Sequence, residues 1–94
     1  MQAWFLQGEG MNNVIMRKVE VTEEYRPLSD RSLVGTFDLS TPPFNPGVVF
    51  FRGDDGSDIP WVAGECHMLV RCDLAELHAK GPEGAVVTVI GGTW

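Results

Sequence analysis

From residue 14 the chain alternates. Val14, Met16, Lys18, Glu20, Thr22 and Glu24 fall on one side of an extended backbone, and Ile15, Arg17, Val19, Val21, Glu23 and Tyr25 on the other. The second set is the more apolar toward Val19, Val21 and Tyr25, so that side is expected to meet the core. Arg26-Pro27-Leu28-Ser29-Asp30-Arg31 interrupts the run, because proline cannot donate to a central ladder. Leu33 to Leu39 reads as the next strand, with Leu33, Phe37 and Leu39 pointing one way around Gly35, and Val34, Thr36 and Asp38 the other. Ser40 to Gly47 is a loop by composition. Val48-Val49-Phe50-Phe51 is an unbroken apolar run, which predicts a strand buried on both faces. Gly53 to Asp58 is a tight turn in which Asp-Gly supplies the positive φ.

Ile59 to Val62 is short and extended, and Ala63-Gly64-Glu65 turns the chain into a strand from Cys66 to Cys72. There Cys66, Met68, Val70 and Cys72 form an apolar face and His67, Leu69 and Arg71 a mixed one. Asp73 to Leu77 fits either a single helical turn capped by Asp73 or an extended corner feeding a strand through Lys80. Gly81 to Gly84 is a turn, and Ala85 to Ile90 is a β-branched closing strand. The expected fold is all-β: a small sandwich or barrel, jelly-roll-like, of about six to seven short antiparallel strands. Residues 16–94 form its single domain, and residues 1–15 are an N-terminal extension, either poorly ordered or packed on a neighbour.

Composition narrows the function more than the fold. The chain has 94 residues, 44% of them hydrophobic and 21% charged, which is the balance of one globular domain. Its formal charge of −6 argues against binding nucleic-acid backbone or an anionic membrane surface. No apolar stretch approaches the ~18 residues of a membrane span. The first residues carry no basic, apolar signal segment, so synthesis in the cytoplasm without a cleaved signal is expected. On one strand Cys66 and Cys72 would share a face about 20 Å apart, too far for a disulfide. Two buried thiols in a reducing compartment are the expectation.

Candidate chemistry is sparse. Asp54-Asp55-Gly56-Ser57-Asp58 lacks the ligand spacing of a calcium loop and reads as a solvated turn. His67 and His78 are the two imidazoles; a cupin-like metal enzyme would need both to converge with a further ligand. Cys66 and His67 are neighbours on a strand and point oppositely, so they make no nucleophile–base pair. Glu65, Glu76 and Glu83 stand in no acid–base pattern, and no glycine-rich phosphate loop precedes a helix. No catalytic, metal or cofactor residue is assigned, and the chain is expected not to be an enzyme. The aromatic residues Trp4, Phe5, Phe44, Phe50, Phe51, Trp61 and Trp94 exceed what so small a core hides easily. Trp4, Phe5, Phe44, Trp61 and Trp94 are therefore the candidate interface residues, since aromatics concentrate where subunits meet. A carbohydrate-binding sandwich with Trp61 as its stacking platform is the alternative.

Residues 45–92, about half the chain, carry a run of turns and strand ends. They are Asn45-Pro46-Gly47-Val48-Val49-Phe50, the turn from Gly53 to Asp58, Ala63-Gly64-Glu65, Asp73-Leu74-Ala75-Glu76-Leu77, and Lys80-Gly81-Pro82-Glu83-Gly84 into Ala85 to Val89. This succession resembles small all-β proteins encoded among bacteriophage and prophage structural genes. Ala63 stands where that pattern has proline, and Ala85 where it commonly has aspartate. The resemblance implies a virion-associated sandwich that works by assembling rather than by catalysis. Its partners would be further copies of itself, as a dimer or trimer, and other virion proteins, with neither nucleic acid nor membrane among them.

Overall fold

The computed structural model describes residues 13–93 and turns the alternating pattern into eight strands. They are β1 (Asn13–Glu20), β2 (Arg26–Pro27), β3 (Val34–Ser40), β4 (Val49–Arg52), β5 (Ile59–Trp61), β6 (Cys66–Asp73), β7 (His78–Lys80) and β8 (Val86–Thr93). Sheet A has the order β1-β8-β3-β6 and sheet B the order β2-β7-β4-β5. Every pairing is antiparallel, and β1 pairs with β8, β2 with β7, β3 with β6 and β4 with β5. The chain is thus one long hairpin whose tip is the Asp-Gly turn. Rolling it up adds the pairings β3–β8 and β4–β7, which complete the two sheets. Every connection except that between β4 and β5 crosses from one sheet to the other. This is the winding of a jelly roll, a two-layer sandwich and not a closed barrel.

Eight strands stand where about six or seven were expected, because β2 and β5 are only two and three residues long. The first strand also begins earlier than the expected domain boundary at residue 16. Asn13 already pairs with Thr93, and its Nδ2 donates to Thr93 Oγ1 at 2.9 Å. The segment after β6 combines both forms left open above. Asp73 caps a 3₁₀ turn, Leu74–Glu76, and β7 follows directly. The Asp73 carboxylate accepts from Ser32 Oγ, Leu33 N and Ala75 N at 2.7, 2.8 and 3.0 Å. These bonds hold it well below the usual carboxylate range.

The core lies between the sheets. Phe37, Leu39, Val87 and Val89 of sheet A face Val49, Phe51, Trp61 and Ala79 of sheet B, with Val21, Leu28, Leu74 and Ala85 closing the ends. The β1 side that includes Val19 and Val21 meets it, as the alternation predicts, whereas Tyr25, expected on the same side, leaves the core and lies against Arg52 and Lys80. β4 departs from its expectation. Val49 and Phe51 are buried but Phe50 is only half-buried, because no third layer covers the outside of sheet B. Phe37 shapes sheet A. A Cβ on its pairing partner Gly91 would lie 2.8 Å from Phe37 Cα and 2.9 Å from its Cδ1, so only glycine leaves room for the ring.

The β6 strand corrects the cysteine geometry. Leu69 pairs with Phe37 and Cys72 with Gly35, so one residue of β3 spans two of β6. Arg71 takes up the extra length with φ 54° and donates its N–H to Thr36 Oγ1 at 3.2 Å. This β-bulge reverses the alternation. Cys72 turns inward against the core, half-buried, while Cys66 stays on the exposed outer face. The expected pair of buried thiols on one face is therefore replaced by one outside and one inside. Burial pushes the Cys72 thiol pKa up.

Two buried polar side chains fasten the crossings. β3 ends at Ser40 opposite Thr88, yet β8 continues back to Val86. Asn45 fills the missing place: its Nδ2 donates to Val86 O at 2.9 Å and its Oδ1 accepts from Val86 N at 3.0 Å. Thr41 is fully buried, and its Oγ1 donates to Val62 O at 2.7 Å while its N–H donates to Glu65 O at 2.9 Å. Replacing Asn45 with alanine leaves both backbone groups of Val86 without partners. Asn45→Ala is expected to lower the unfolding free energy by about 1–3 kcal/mol, read as a shift of the urea midpoint at unchanged m. The bulge makes a second prediction. In native protein a thiol reagent titrates Cys66 rapidly and Cys72 only as the fold opens, and Cys66→Ser abolishes the fast phase. Two equally fast thiols would contradict the inward turn of Cys72.

Candidate interaction surface

The outer face of an uncovered sheet normally alternates to polar residues. Sheet B obeys this rule. Phe50, Arg52, His78 and Lys80 share its outer side, and Tyr25 lies over them with its ring 4.1 Å from the Arg52 guanidinium and 5.0 Å from Lys80 Nζ. Tyr25 Oη donates to Asp58 Oδ1 at 2.6 Å, and Arg52 Nε donates to the same oxygen at 3.0 Å. These two bonds lower the Asp58 pKa, while burial and then the Asp58 bond raise that of Tyr25.

Sheet A does not obey it. Among the described residues nine large hydrophobic side chains are exposed, and six of them, Val14, Met16, Val34, Met68, Val70 and Ile90, lie on its outer side. The register lines them up. Met16 is opposite Ile90, Ile90 opposite Asp38, and Asp38 opposite Met68, one row across all four strands. Met16, Ile90 and Met68 are 69%, 51% and 61% exposed. The next row holds Lys18, Thr88, Ser40 and Cys66, where the Ser40 and Thr88 hydroxyls bond to each other. The face thus joins its apolar side chains to one carboxylate, Asp38, near its centre and to Lys18 and Glu20 at its margin.

The sequence-predicted interface residues lie elsewhere. Phe44 is exposed in the loop between β3 and β4. Trp61 is 8% exposed, with the ring of Phe51 at 4.0 Å and that of His67 at 4.6 Å. A buried indole offers a sugar no open face to stack on. Trp4, Phe5 and Trp94 are outside the described residues. The face that sequence reasoning missed had a signal in Cys66, Met68 and Val70. Nothing in the local pattern said that this apolar side of β6 looks away from the core.

The candidate chemical groups are dispersed. His67 pairs with Leu39 on the inner side of sheet A, and His78 pairs with Arg52 on the outer side of sheet B, so the fold sets the two imidazoles apart. Among the described residues no three His, Cys, Asp or Glu side chains gather to hold a metal ion. In the acidic turn Asp55 accepts from Ser57 N at 2.9 Å, an Asx turn that lowers its pKa, and Asp58 is engaged by Tyr25 and Arg52. Glu65 is committed to the corner between β5 and β6. Its Oε1 accepts from Val62 N at 2.9 Å and its Oε2 pairs with His67 Nε2 at 2.6 Å, while Gly64 makes the turn at φ 89°. Comparison with protein-family models, curated proteins and solved structures gives no match.

The Glu65 contacts set a pH dependence. His67 first, then the Val62 amide, hold the Glu65 carboxyl below its ordinary range. A carboxylate with a depressed folded-state pKa stabilises the fold above its unfolded value, and that contribution is lost as pH falls through the folded value. Glu65→Gln is therefore expected to lose less stability than the unsubstituted chain between about pH 6 and about pH 3, measured by urea unfolding at each pH. Equal losses would show that this corner contributes nothing to acid sensitivity.

Proposed function

We propose that the protein is a non-enzymatic assembly module of virion or prophage type, and that it associates through the outer face of sheet A. The observation that carries this reading is the cluster of exposed apolar side chains, Met16, Ile90, Met68 and their neighbours, that surrounds Asp38 on a sheet side water would otherwise cover. Jelly rolls serve in viral capsid, lectin and cupin domains alike, so the fold does not choose among these functions and the surface has to. The buried Trp61 and the separated His67 and His78 give the sugar-binding and metal-enzyme readings no comparable support.

The dimensions suit the role. Four strands at ~4.8 Å spacing and eight residues at ~3.3 Å give a face of about 19 by 26 Å. Side-chain relief raises its accessible area toward the ~800 Å² that each partner contributes to a standard interface. Further copies of this chain, as a dimer or trimer, are the first partners, and other virion proteins the next. In this reading the chain is made in the cytoplasm and finishes in a particle.

Association is read by analytical ultracentrifugation. The unsubstituted chain is expected to sediment above the monomer mass at micromolar concentration. Ile90→Glu, which places a second carboxylate beside Asp38, is expected to lower the assembled mass while the unfolding free energy stays within about 0.5 kcal/mol of the parent. An unchanged mass in Ile90→Glu would overturn the role of this face.

A further inference from the structure

We propose that Asp38 and Lys18 form the contact that selects the partner of the sheet A face: each Lys18 lies on Asp38 of a second copy, about a two-fold axis that crosses β8 between Thr88 and Ile90. The inference rests on association through that face, and it deepens that reading by naming the residues that fix the partner and its register.

Asp38 sets the requirement. It is exposed within its row, between Ile90 and Met68, with Met16 beyond Ile90. Among the described residues its carboxylate has neither an ion pair nor a side-chain hydrogen bond. The hydroxyls of Ser40 and Thr88, in the next row, bond to each other. Any surface that covers Met16, Ile90 and Met68 takes the Asp38 carboxylate out of water with them. A carboxylate covered without a cation or donors to meet it opposes association.

A second copy brings one cation to this face. Of the seven lysines and arginines of the chain, Lys18 stands on the outer side of sheet A with no ion pair among the described residues. Arg17, opposite Val89, is on the inner side of β1. Arg71 is engaged within its own chain. Arg26, Arg52 and Lys80 belong to sheet B, and Arg31 to the connection between β2 and β3. A face that meets a copy of itself therefore has Lys18 to offer Asp38.

The register permits the pairing. Lys18 is opposite Thr88 and Asp38 is opposite Ile90, so the two lie on either side of β8. Two strand spacings across and two residues along separate them by about 12 Å. A two-fold axis lying in the interface, perpendicular to the line between them at its midpoint, exchanges their positions. Each Lys18 then meets Asp38 of the second copy, and the contact is made twice, as in any isologous interface. The same overlay sets Met16 near Ile90 of the second copy, apolar on apolar, and Glu20 at the margin of β6, beyond Asp38.

Sedimentation of the full chain tests the contact, and the sign of one effect decides it. Asp38→Asn removes half of an ion pair and is expected to weaken the dimer about tenfold or more, whereas a carboxylate covered without a partner would be relieved by it and the dimer tightened. Lys18→Asp is expected to weaken the dimer at least as much, and Lys18→Asp combined with Asp38→Lys to restore it to within about threefold of the parent. Both side chains are exposed in the single copy, so each variant is expected to keep the urea midpoint of the parent. If Ile90→Glu dissociates the parent dimer while Asp38→Asn leaves it unchanged or tighter, or the exchanged chain stays dissociated, the contact is overturned and the face remains. If Ile90→Glu leaves the mass unchanged, the face fails and the contact falls with it.

Discussion

A rolled hairpin has to leave one sheet for the other without stripping the partner of the strand that departs. β3 leaves sheet A at Ser40, while β8 continues for two more residues to Val86 inside the protein. An unpaired amide and carbonyl there would each face the cost of burial without a hydrogen bond. The Asn45 side chain presents one N–H and its Oδ1 to Val86 as a peptide group would, and it takes the place of the absent strand residue. The neighbouring crossing depends on this one. Thr41 is held at the head of the same loop and binds the carbonyls of Val62 and Glu65, so the chain leaving sheet A at β3 positions the chain returning to it at β6.

Much of this architecture was legible because the chain follows period two and places its turn residues between strands. The buried sides of β1 and β3 and the Asp-Gly tip follow from local pattern, whereas the pattern at Asp73 to Leu77 left a capped turn and an extended corner equally open. What failed to follow was non-local. Asn45 looked like one polar residue in a proline-rich loop, and only the end of β3 against β8 gives its amide a task. The bulge in β6 left no mark in the sequence, since Arg71 is no habitual left-handed residue and the six-residue spacing of the cysteines argued for one face. The apolar outer side of sheet A was visible as residues, in Met16, Met68, Val70 and Ile90, but not as a surface. Two strands distant in the chain had to be placed beside β8 before those side chains formed a row. Aromatic content pointed to Trp61 as a surface residue, whereas the cross-sheet contacts with Phe51 and His67 absorb it into the interior.

The two outer faces of the sandwich are built on opposite principles, and this difference bears on function. On the outer side of sheet B two cations are occupied by neighbours: Arg52 and Lys80 lie against the Tyr25 ring, and Asp58 ties Tyr25 to Arg52. On sheet A the exposed hydrophobic side chains are thioether and branched aliphatic, and they gain free energy only by leaving water, at roughly 25 cal/mol per Å². Asp38 then acquires a consequence. A carboxylate in the middle of an apolar face penalises any covering that leaves it unpaired, so it restricts which surfaces can lie there. The net charge of −6 argues against nucleic acid as that covering. Sheet A therefore leaves apolar side chains in water on its outer side as well as burying them on its core side, and this asymmetry between the two outer faces is the observation on which the proposed assembly role rests.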